Sequence, residues 1–303
     1  MNRRSLFIII TLGICLLFLT LPGEEEPAGK KNAFAAEKSL PRRVICINPA
    51  ATEIFYAMGC EDMLVAVSDY CTYPAGTAQK AKIGGIINPN LEKISALKPE
   101  LVILQGKNEV ISNFCELKGI ECLHLDLRNL NEIYQGITKL GQRLGCSDAA
   151  NKLCTEMKAE IHRVKLKASV AKKKSVFFAL YRTPGSLASI TTVGPNTFLS
   201  ELIEIAGGIN VFHDLQQDYS VVSKETLLKR QPDLILEPSN RAAQQDDSSA
   251  RILQDWNKLQ TLKAVQQGEI YLIDADMVLR PGPRVSQAAL EMARLIHPEL
   301  FDE

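Results

Sequence analysis

A chain of 303 residues that is 46% apolar and 23% charged can bury one large core or two medium ones, which argues against disorder. Lysine plus arginine equals aspartate plus glutamate at 35 each, so the formal net charge is zero. That balance speaks against a nucleic-acid groove or a polyanionic substrate and leaves binding to local chemistry.

In chain order, the first element reads as an export signal. Arg3 and Arg4 precede an apolar run over 6–21, which Pro22 and Gly23 close. Its 16 residues fall short of the roughly 20 that cross a bilayer as a helix. Ala33, Phe34 and Ala35 form a small-residue cleavage site, so 1–35 is expected to be signal peptide and linker. The alternatives are an uncleaved anchor, or a lipid anchor on Cys15, which Ile14 disfavours because lipoprotein signals carry a small residue there. All three place the folded part in the periplasm or on the extracellular face of the membrane.

From residue 42 onward, short β-branched runs alternate with helical stretches, the pattern of α/β layers around parallel strands. RRVICI, MLVAVS, ELVILQ, KSVFFALY, DLILEP and EIYLID read as buried strands, and TEIFYAMG and NEIYQGITKLGQRLG as amphipathic helices. Gly59 and Gly145 stand just past those two helices, where a left-handed cap is needed. Residues 148–174 break the alternation: highly charged, without Gly or Pro, and with a narrow apolar stripe at helical spacing. Such a helix is expected to touch little core and, at ~1.5 Å per residue, to run about 40 Å between two lobes. The expected architecture is α/β: two three-layer lobes with mainly parallel sheets, at 42–147 and 175–303, joined by one long bridging helix at 148–174.

An internal repeat supports that division. NLEKISALKPELVIL at 90–104 and SKETLLKRQPDLILE at 223–237 each set a capping residue, Asn90 or Ser223, before a glutamate two positions on, a two-turn helix, a proline and a strand. NPAATEIFYAMGC and GPNTFLSELIEIAGG match more loosely. A capping box would need its acid at Lys93 or Thr226, so Glu92 and Glu225 are not required to close the cap. Each can be read as compensation of the helix dipole, or the two as a matched pair of exposed anions that grips arginines of a two-fold symmetric partner.

Seven cysteines follow Cys15 without any Cys-x-x-Cys pair, which speaks against a zinc ribbon or a thioredoxin motif. Most read as small buried hydrophobes, and the odd number leaves at least one thiol unpaired in an oxidising compartment. The four histidines, His124, His162, His213 and His297, are too scattered for a metal site. No nucleophile elbow, zinc-protease, phosphate-loop or dinucleotide motif is present, so no enzymatic activity is expected.

Open α/β sheets bind ligands at the carboxyl ends of their strands. Tyr70 and Tyr73 in the loop DYCTYP, Gln105, Tyr181, Arg182, Tyr219 and Arg280 are the expected ligand contacts. Gly84 and Gly85 make a turn into the cleft wall. Tyrosine offers flat area plus a hydroxyl, which suits a macrocycle with amide arms, although any one tyrosine can equally be a packing residue. In RPGPR, Arg280 either faces the ligand or, with Arg284, pairs with acids such as Asp274 or Asp276.

NPNLEKISALKPELVIL, SKETLLKRQPDLIL, AGGINVF and the closing VLRPGPRVSQAALEMARLIHPELF together resemble the periplasmic iron/vitamin B12-binding proteins of ABC importers, and SDYCTYP resembles their cobalamin-binding branch. The resemblance covers about residues 42–301. It implies two α/β lobes joined by a rigid helix, a ligand held between them, and one glutamate per lobe, here Glu92 and Glu225, docking onto arginines of a permease dimer in the inner membrane. The transported ligand would be cobalamin or a related corrinoid, with ferric siderophore or haem as the alternative; no resident cofactor, metal or nucleic acid is implied, and the chain is expected to be a monomer. The single tryptophan, Trp256, departs from the several tryptophans common in cobalamin-specific members, with Tyr181 and Tyr219 as substitutes. An extracellular ligand-sensing module is the reading from a different class.

Overall fold

A computed structural model describes residues 39–240 and 247–301; the expected signal segment and linker lie outside the described residues. In the first half, β1 (Val44–Cys46), α1 (Pro49–Ala57), β2 (Leu64–Val67), β3 (Ala81–Lys82), α2 (Leu91–Ala96), β4 (Leu101–Gln105), α3 (Glu109–Lys118), β5 (Glu121–Leu125) and α4 (Leu130–Leu144) build a five-stranded sheet of order β3-β2-β1-β4-β5. Every strand pairing in it is parallel. Helix α5 (Ser147–Ala168) leads to the second half. There β6 (Lys174–Phe178), β7 (Tyr181–Arg182), β8 (Ser189–Val193), α6 (Phe198–Ile205), β9 (Gly208–Asn210), β10 (Tyr219–Ser223), α7 (Lys224–Arg230), β11 (Leu234–Ser239), α8 (Asp247–Trp256), β12 (Ile270–Asp274) and α9 (Val285–Ile296) follow in order. They form a parallel sheet of order β12-β11-β6-β9 and a small antiparallel sheet of order β10-β8-β7.

The central strands are continuous apolar runs because both of their faces are covered. Val44, Ile45 and Cys46 of β1 and Leu101, Val102 and Ile103 of β4 have no exposed surface. Helix starts are written locally: the side chains of Asn48, Asn90, Asn108, Asn129, Thr197 and Ser223 each accept a hydrogen bond from the backbone N–H three residues on. Gly59 and Gly145 take the expected left-handed conformation, at φ of 67° and 72°.

The repeat is visible as topology. β1-α1-β2 and α2-β4-α3-β5 recur as β6-α6-β9 and α7-β11-α8-β12, and in both sheets the repeated strands stand in the same order. The second copy differs by the β7, β8 and β10 insertion.

Helix α5 covers 147–168 rather than 148–174, about 33 Å at 1.5 Å per residue. Its apolar stripe ends at Ala168, whereas burying Val176, Phe177 and Phe178 in β6 is worth roughly 1.5–3 kcal/mol per side chain, so the chain leaves the helix to reach the sheet. The stripe is narrow, Ala150, Cys154, Met157, Ile161, Val164 and Ala168, but it is buried along its whole length. It belongs to one apolar cluster that runs from Val44 and Ile54 through α5 to Phe178, Leu202 and Ala289. The expectation that this helix touches little core is therefore corrected. Two smaller clusters cover the opposite sheet faces, one around Ile45, Val102 and Ile111, the other around Phe177, Ile235 and Trp256.

Cys60, just after α1, and Cys146, between α4 and α5, form a disulfide across 86 residues of sequence. Loop closure of that size stabilises by about 4 kcal/mol in the chain-entropy view. Replacing both cysteines by serine is expected to lower the unfolding midpoint by roughly 5–15 °C, with reductant producing the same drop in the unmodified chain and none in the double variant, as read by calorimetry.

Candidate functional site

The carboxyl edges of the two parallel sheets meet through side chains. Arg280, after β12, reaches the loop after β2: its Nη2 donates to Thr72 Oγ1 at 2.9 Å and to the Tyr70 carbonyl at 3.4 Å. At another point of the seam the Phe198 N–H donates to the Arg128 carbonyl at 2.7 Å, and the Leu130 N–H to Glu201 Oε2 at 2.7 Å. These contacts pair the start of α4 with the start of α6.

Glu53 of α1 is the centre of the larger junction. Its carboxylate is 2% exposed and accepts from Arg284 Nε at 2.9 Å and Nη2 at 2.7 Å, a two-pronged pair, while Arg280 Nη1 lies 3.2 Å away. Asp276 binds both arginines from the other side. Burial works against the Arg284 charge, but Glu53 and Asp276 more than offset it and its pKa is raised. The Tyr73 ring stacks on the same guanidinium, 4.1 Å from ring centre to Cζ. Gly282, between the two arginines, would carry a Cβ 3.2 Å from the Ala50 carbonyl oxygen, so the turn lies close against α1.

Of the expected ligand contacts, Tyr70, Gln105, Tyr181 and Tyr219 are exposed at these carboxyl edges. The Gln105 amide oxygen accepts from Asn48 Nδ2, and Asn48 Oδ1 in turn caps α1 by accepting from the Ala51 N–H, so Gln105 is held by the residue that starts α1. Register brings two of the tyrosines together: Tyr181 pairs with Thr191, Thr191 with Val221, and Tyr219 stands two residues from Val221 on β10. Alternation along the strands then places Tyr181, Thr191, Val221 and Tyr219 on one face of the small sheet. The other face carries Arg182, Ile190, Thr192 and Val222, all buried.

The same alternation corrects Arg182. With Tyr181 outward its neighbour points inward, where the side chain is 3% exposed and pairs with Glu237 at 3.0 Å and Asp255 at 2.9 Å. Of the two readings of Arg280, the pairing with acids is the one the structure shows: Asp276, one of the acids anticipated for it, and Glu53 both engage its guanidinium. Tyr73 lines a groove of about 380 Å³ beside α5, together with Tyr56, Glu156, Met157, Glu160 and Gln287. Trp256 is fully buried and donates to Glu237 at 2.6 Å, away from the exposed tyrosines.

Glu53, Asn48, Ile87 and Val221 were missed. Ile87 is 84% exposed, in the turn opened by Gly84 at φ 90°, and a Cβ on Gly85 would lie 3.9 Å from the Tyr70 ring. The Gly84-Gly85 pair was the available signal. Glu92 and Glu225 occupy equivalent second positions of α2 and α7, both exposed, with Asn90 and Ser223 as the caps. Glu225 is held below the usual carboxylate range by its own backbone N–H and by Ser223. Among the described residues no group of three His, Cys, Asp or Glu is placed to hold a metal ion.

Two parallel sheets in repeated order, a helix between them and exposed aromatics at the carboxyl edges define a solute-binding architecture. Residues 44–277 match the periplasmic binding protein family, and the chain belongs to it. This is the class of substrate-binding proteins of ABC importers. The chain is 30% identical, over 88% of its length and 83% of the relative's, to an ABC transporter substrate-binding lipoprotein of Bacillus subtilis that is described as uncharacterized. It is also 30% identical to the vitamin B12-binding protein of Vibrio parahaemolyticus, over 82% of this chain and 87% of that one. The crystal structure of the periplasmic vitamin B12 binding protein of Vibrio cholerae superposes with a TM-score of 0.71 at 26% identity, covering 85% of this chain and 97% of that one.

Two outcomes are expected of the ionic clusters. Glu53→Gln leaves buried Arg284 and half-buried Arg280 with Asp276 as their remaining carboxylate at this junction, and urea unfolding should show a loss of about 2–4 kcal/mol. Asp255 and Asp233 each have a pKa pushed down to about 2: burial opposes this, but Lys258 and Arg182 outweigh it at Asp255, as Lys263 and Ser175 do at Asp233. A carboxylate depressed in the folded state stabilises above its unfolded pKa and loses that contribution as pH falls through its folded one. Stability should therefore decline as pH falls from about 4 toward 2, by on the order of 1–2 kcal/mol per group, and Asp255→Asn should remove its share of the decline. Glu237, raised by burial, acts in the opposite direction near its own pKa.

Proposed function

We propose that this chain is an exported solute-binding protein that delivers cobalamin or a related corrinoid to the permease of an ABC importer. The observation that carries this reading is the exposed tyrosine face of Tyr181 and Tyr219 at the carboxyl edges that also carry Tyr70 and Gln105. Flat aromatic area with hydroxyls, beside amide groups, complements a broad ring with amide arms. The relationship to vitamin B12-binding proteins at about the same chain length supports the same ligand class. The ligand would lie between the lobes with little closure, because the seam is pinned on two sides and α5 is continuous.

Glu92 and Glu225 would dock onto arginines of the two permease subunits. Their matched positions in the repeat and their exposure support that role.

Calorimetric titration with cyanocobalamin, dicyanocobinamide, haem and ferric siderophores tests the ligand. Saturable binding of the two corrinoids is expected, weakened at least tenfold by Tyr181→Ala with Tyr219→Ala; binding of haem or a siderophore alone transfers the reading to that ligand, and no binding at all overturns it. Charge reversal of both glutamates, Glu92→Lys with Glu225→Lys, should abolish uptake in reconstituted vesicles while corrinoid affinity stays within twofold. A parallel loss of affinity would contradict the docking assignment.

A further inference from the structure

Outside the Cys60–Cys146 disulfide, Cys46, Cys71, Cys115 and Cys154 are buried and Cys122 is half-buried. Two of these five, Cys115 and Cys122, are brought together by the α3–β5 connection. Gly119 ends α3 in the left-handed conformation and the Ile120 N–H bonds back to the Cys115 carbonyl at 2.8 Å, so the chain reverses at once into β5. Along β5 the side chains alternate: Leu123 and Leu125 join the core that contains α4, while Cys122 packs with Cys115, Ile111 and Val102 on the opposite face. There Cys115 and Cys122 share one small apolar cluster, Cys122 standing beside Val102 in the sheet register.

His124 shares the Cys122 face, two residues on. Its Nδ1 lies 2.8 Å from the Gly106 carbonyl oxygen, which can only accept, so Nδ1 carries the hydrogen of the neutral ring. That leaves Nε2 as the basic nitrogen, 3.4 Å from Ser112 Oγ, whose own hydrogen goes to the Asn108 carbonyl at 2.8 Å. His124 lies close enough to act on the Cys122 charge. Nε2 is thus placed to take the Cys122 proton, and the resulting imidazolium holds the thiolate. Accordingly the Cys122 thiol is pushed down to about 7, first by the Cys115 hydrogen bond, against the effect of burial, then by His124. Cys115 is pushed up by giving its proton to Cys122 and by burial.

We propose that Cys122 and Cys115 are a redox-active dithiol, Cys122 the attacking and Cys115 the resolving sulfur, which closes to a disulfide by exchange with an external disulfide of the protein or glutathione type. The Cys122 thiolate attacks one sulfur of that disulfide, breaking its S–S bond and releasing the first thiol, which takes the proton held on His124. Cys115 then gives up its proton and attacks the Cys122 sulfur, breaking the mixed disulfide and releasing the second thiol. Two cysteine thiols are oxidised and one disulfide is reduced to two thiols, so electrons and protons balance. The order follows from access: Cys122 is half-buried, whereas Cys115 has no exposed surface and can react with nothing but its neighbour. The product would staple α3 to β5 beside the Gly106 turn that follows Gln105.

The test uses the full chain. Trypsin cuts after Lys107, Lys118 and Arg128, which places Cys115 in peptide 108–118 and Cys122 in peptide 119–128. After reduction, buffer exchange and incubation with oxidised glutathione, mass spectrometry of the native protein should show these two peptides joined with the loss of two hydrogens. Iodoacetamide at neutral pH should label Cys122 at least tenfold faster than Cys154, and His124→Gln should slow that labelling about tenfold. A lasting glutathione adduct on Cys122 with Cys115 still reduced, or peptides 108–118 and 119–128 left unlinked, overturns the proposal. The peptide map needs no variant, so a His124→Gln chain that folds poorly does not decide the outcome.

Discussion

The relative placement of the two sheets rests on a carboxylate inside α1. Glu53 is buried, where an isolated charge would be strongly disfavoured, and it is tolerated because two arginines from the far end of the chain reach it. That requirement propagates. RPGPR must turn tightly enough for both guanidinium groups to face α1, and Asp276 must supply the second charge that two cations demand. Tyr73 then finds its place as a lid on Arg284, and Arg280 keeps donors to spare for the Tyr70 loop. A hydrophobic replacement could make the junction as stable, but would not fix where the loop after β2 stands. A buried ion pair is a poor source of stability and, in this chain, a device for register between halves.

Duplication explains why a seam exists at all. Each copy of the unit puts its loops at the carboxyl edge of its own sheet, and joining the copies through α5 leaves two such edges to meet. The junctions at Glu53 and at Glu201 use the starts of α1, α4 and α6, so the helices that carry the repeat also carry the contacts between its copies. The antiparallel insertion of β7, β8 and β10 breaks the symmetry. It gives the second half a platform that the first half lacks, and its strand parity separates a wet aromatic face from a dry one closed by Arg182, Glu237 and Trp256.

Much of this was legible in the sequence, for identifiable reasons. Central strands such as LVIL and LILE stand out because both faces are buried, and Asn90 and Ser223 announce helix starts through local capping chemistry that needs no tertiary context. The end of α5 was not legible, since nothing in Val170–Lys173 forbids a helix and the competing gain lay in β6 burial. Arg182 was misplaced by choosing a residue type, arginine, over a two-residue period that Tyr181 had already fixed. For Arg280 the local partner, Asp276, four residues back, was legible, whereas Glu53 is 227 residues away, a separation no local pattern reports. Glu53 itself reads in sequence as one acid in a helix. Its role appears once the chain has closed on itself.

The restraints at the seam also bear on how such a protein can bind. Domain closure around a solute needs a few residues able to absorb large backbone rotations, and here the candidate positions are occupied otherwise. The link between halves is a 22-residue helix whose stripe is sealed into the shared core, and the flanking junctions are a two-pronged ion pair on one side and backbone hydrogen bonds on the other. A rigid seam forgoes the extra contacts that closure would add. Under the proposed reading it would hold the strands that carry the tyrosines in place before a ligand arrives, so no hinge would have to be frozen on binding. For a large, flat, itself rigid solute that compromise favours preorganisation, because a broad ring meets its contacts at once. On the same proposed reading the spacing of Glu92 and Glu225 would not change with occupancy, so a membrane partner that recognised both carboxylates would have to sense the ligand by some other feature than the distance between them.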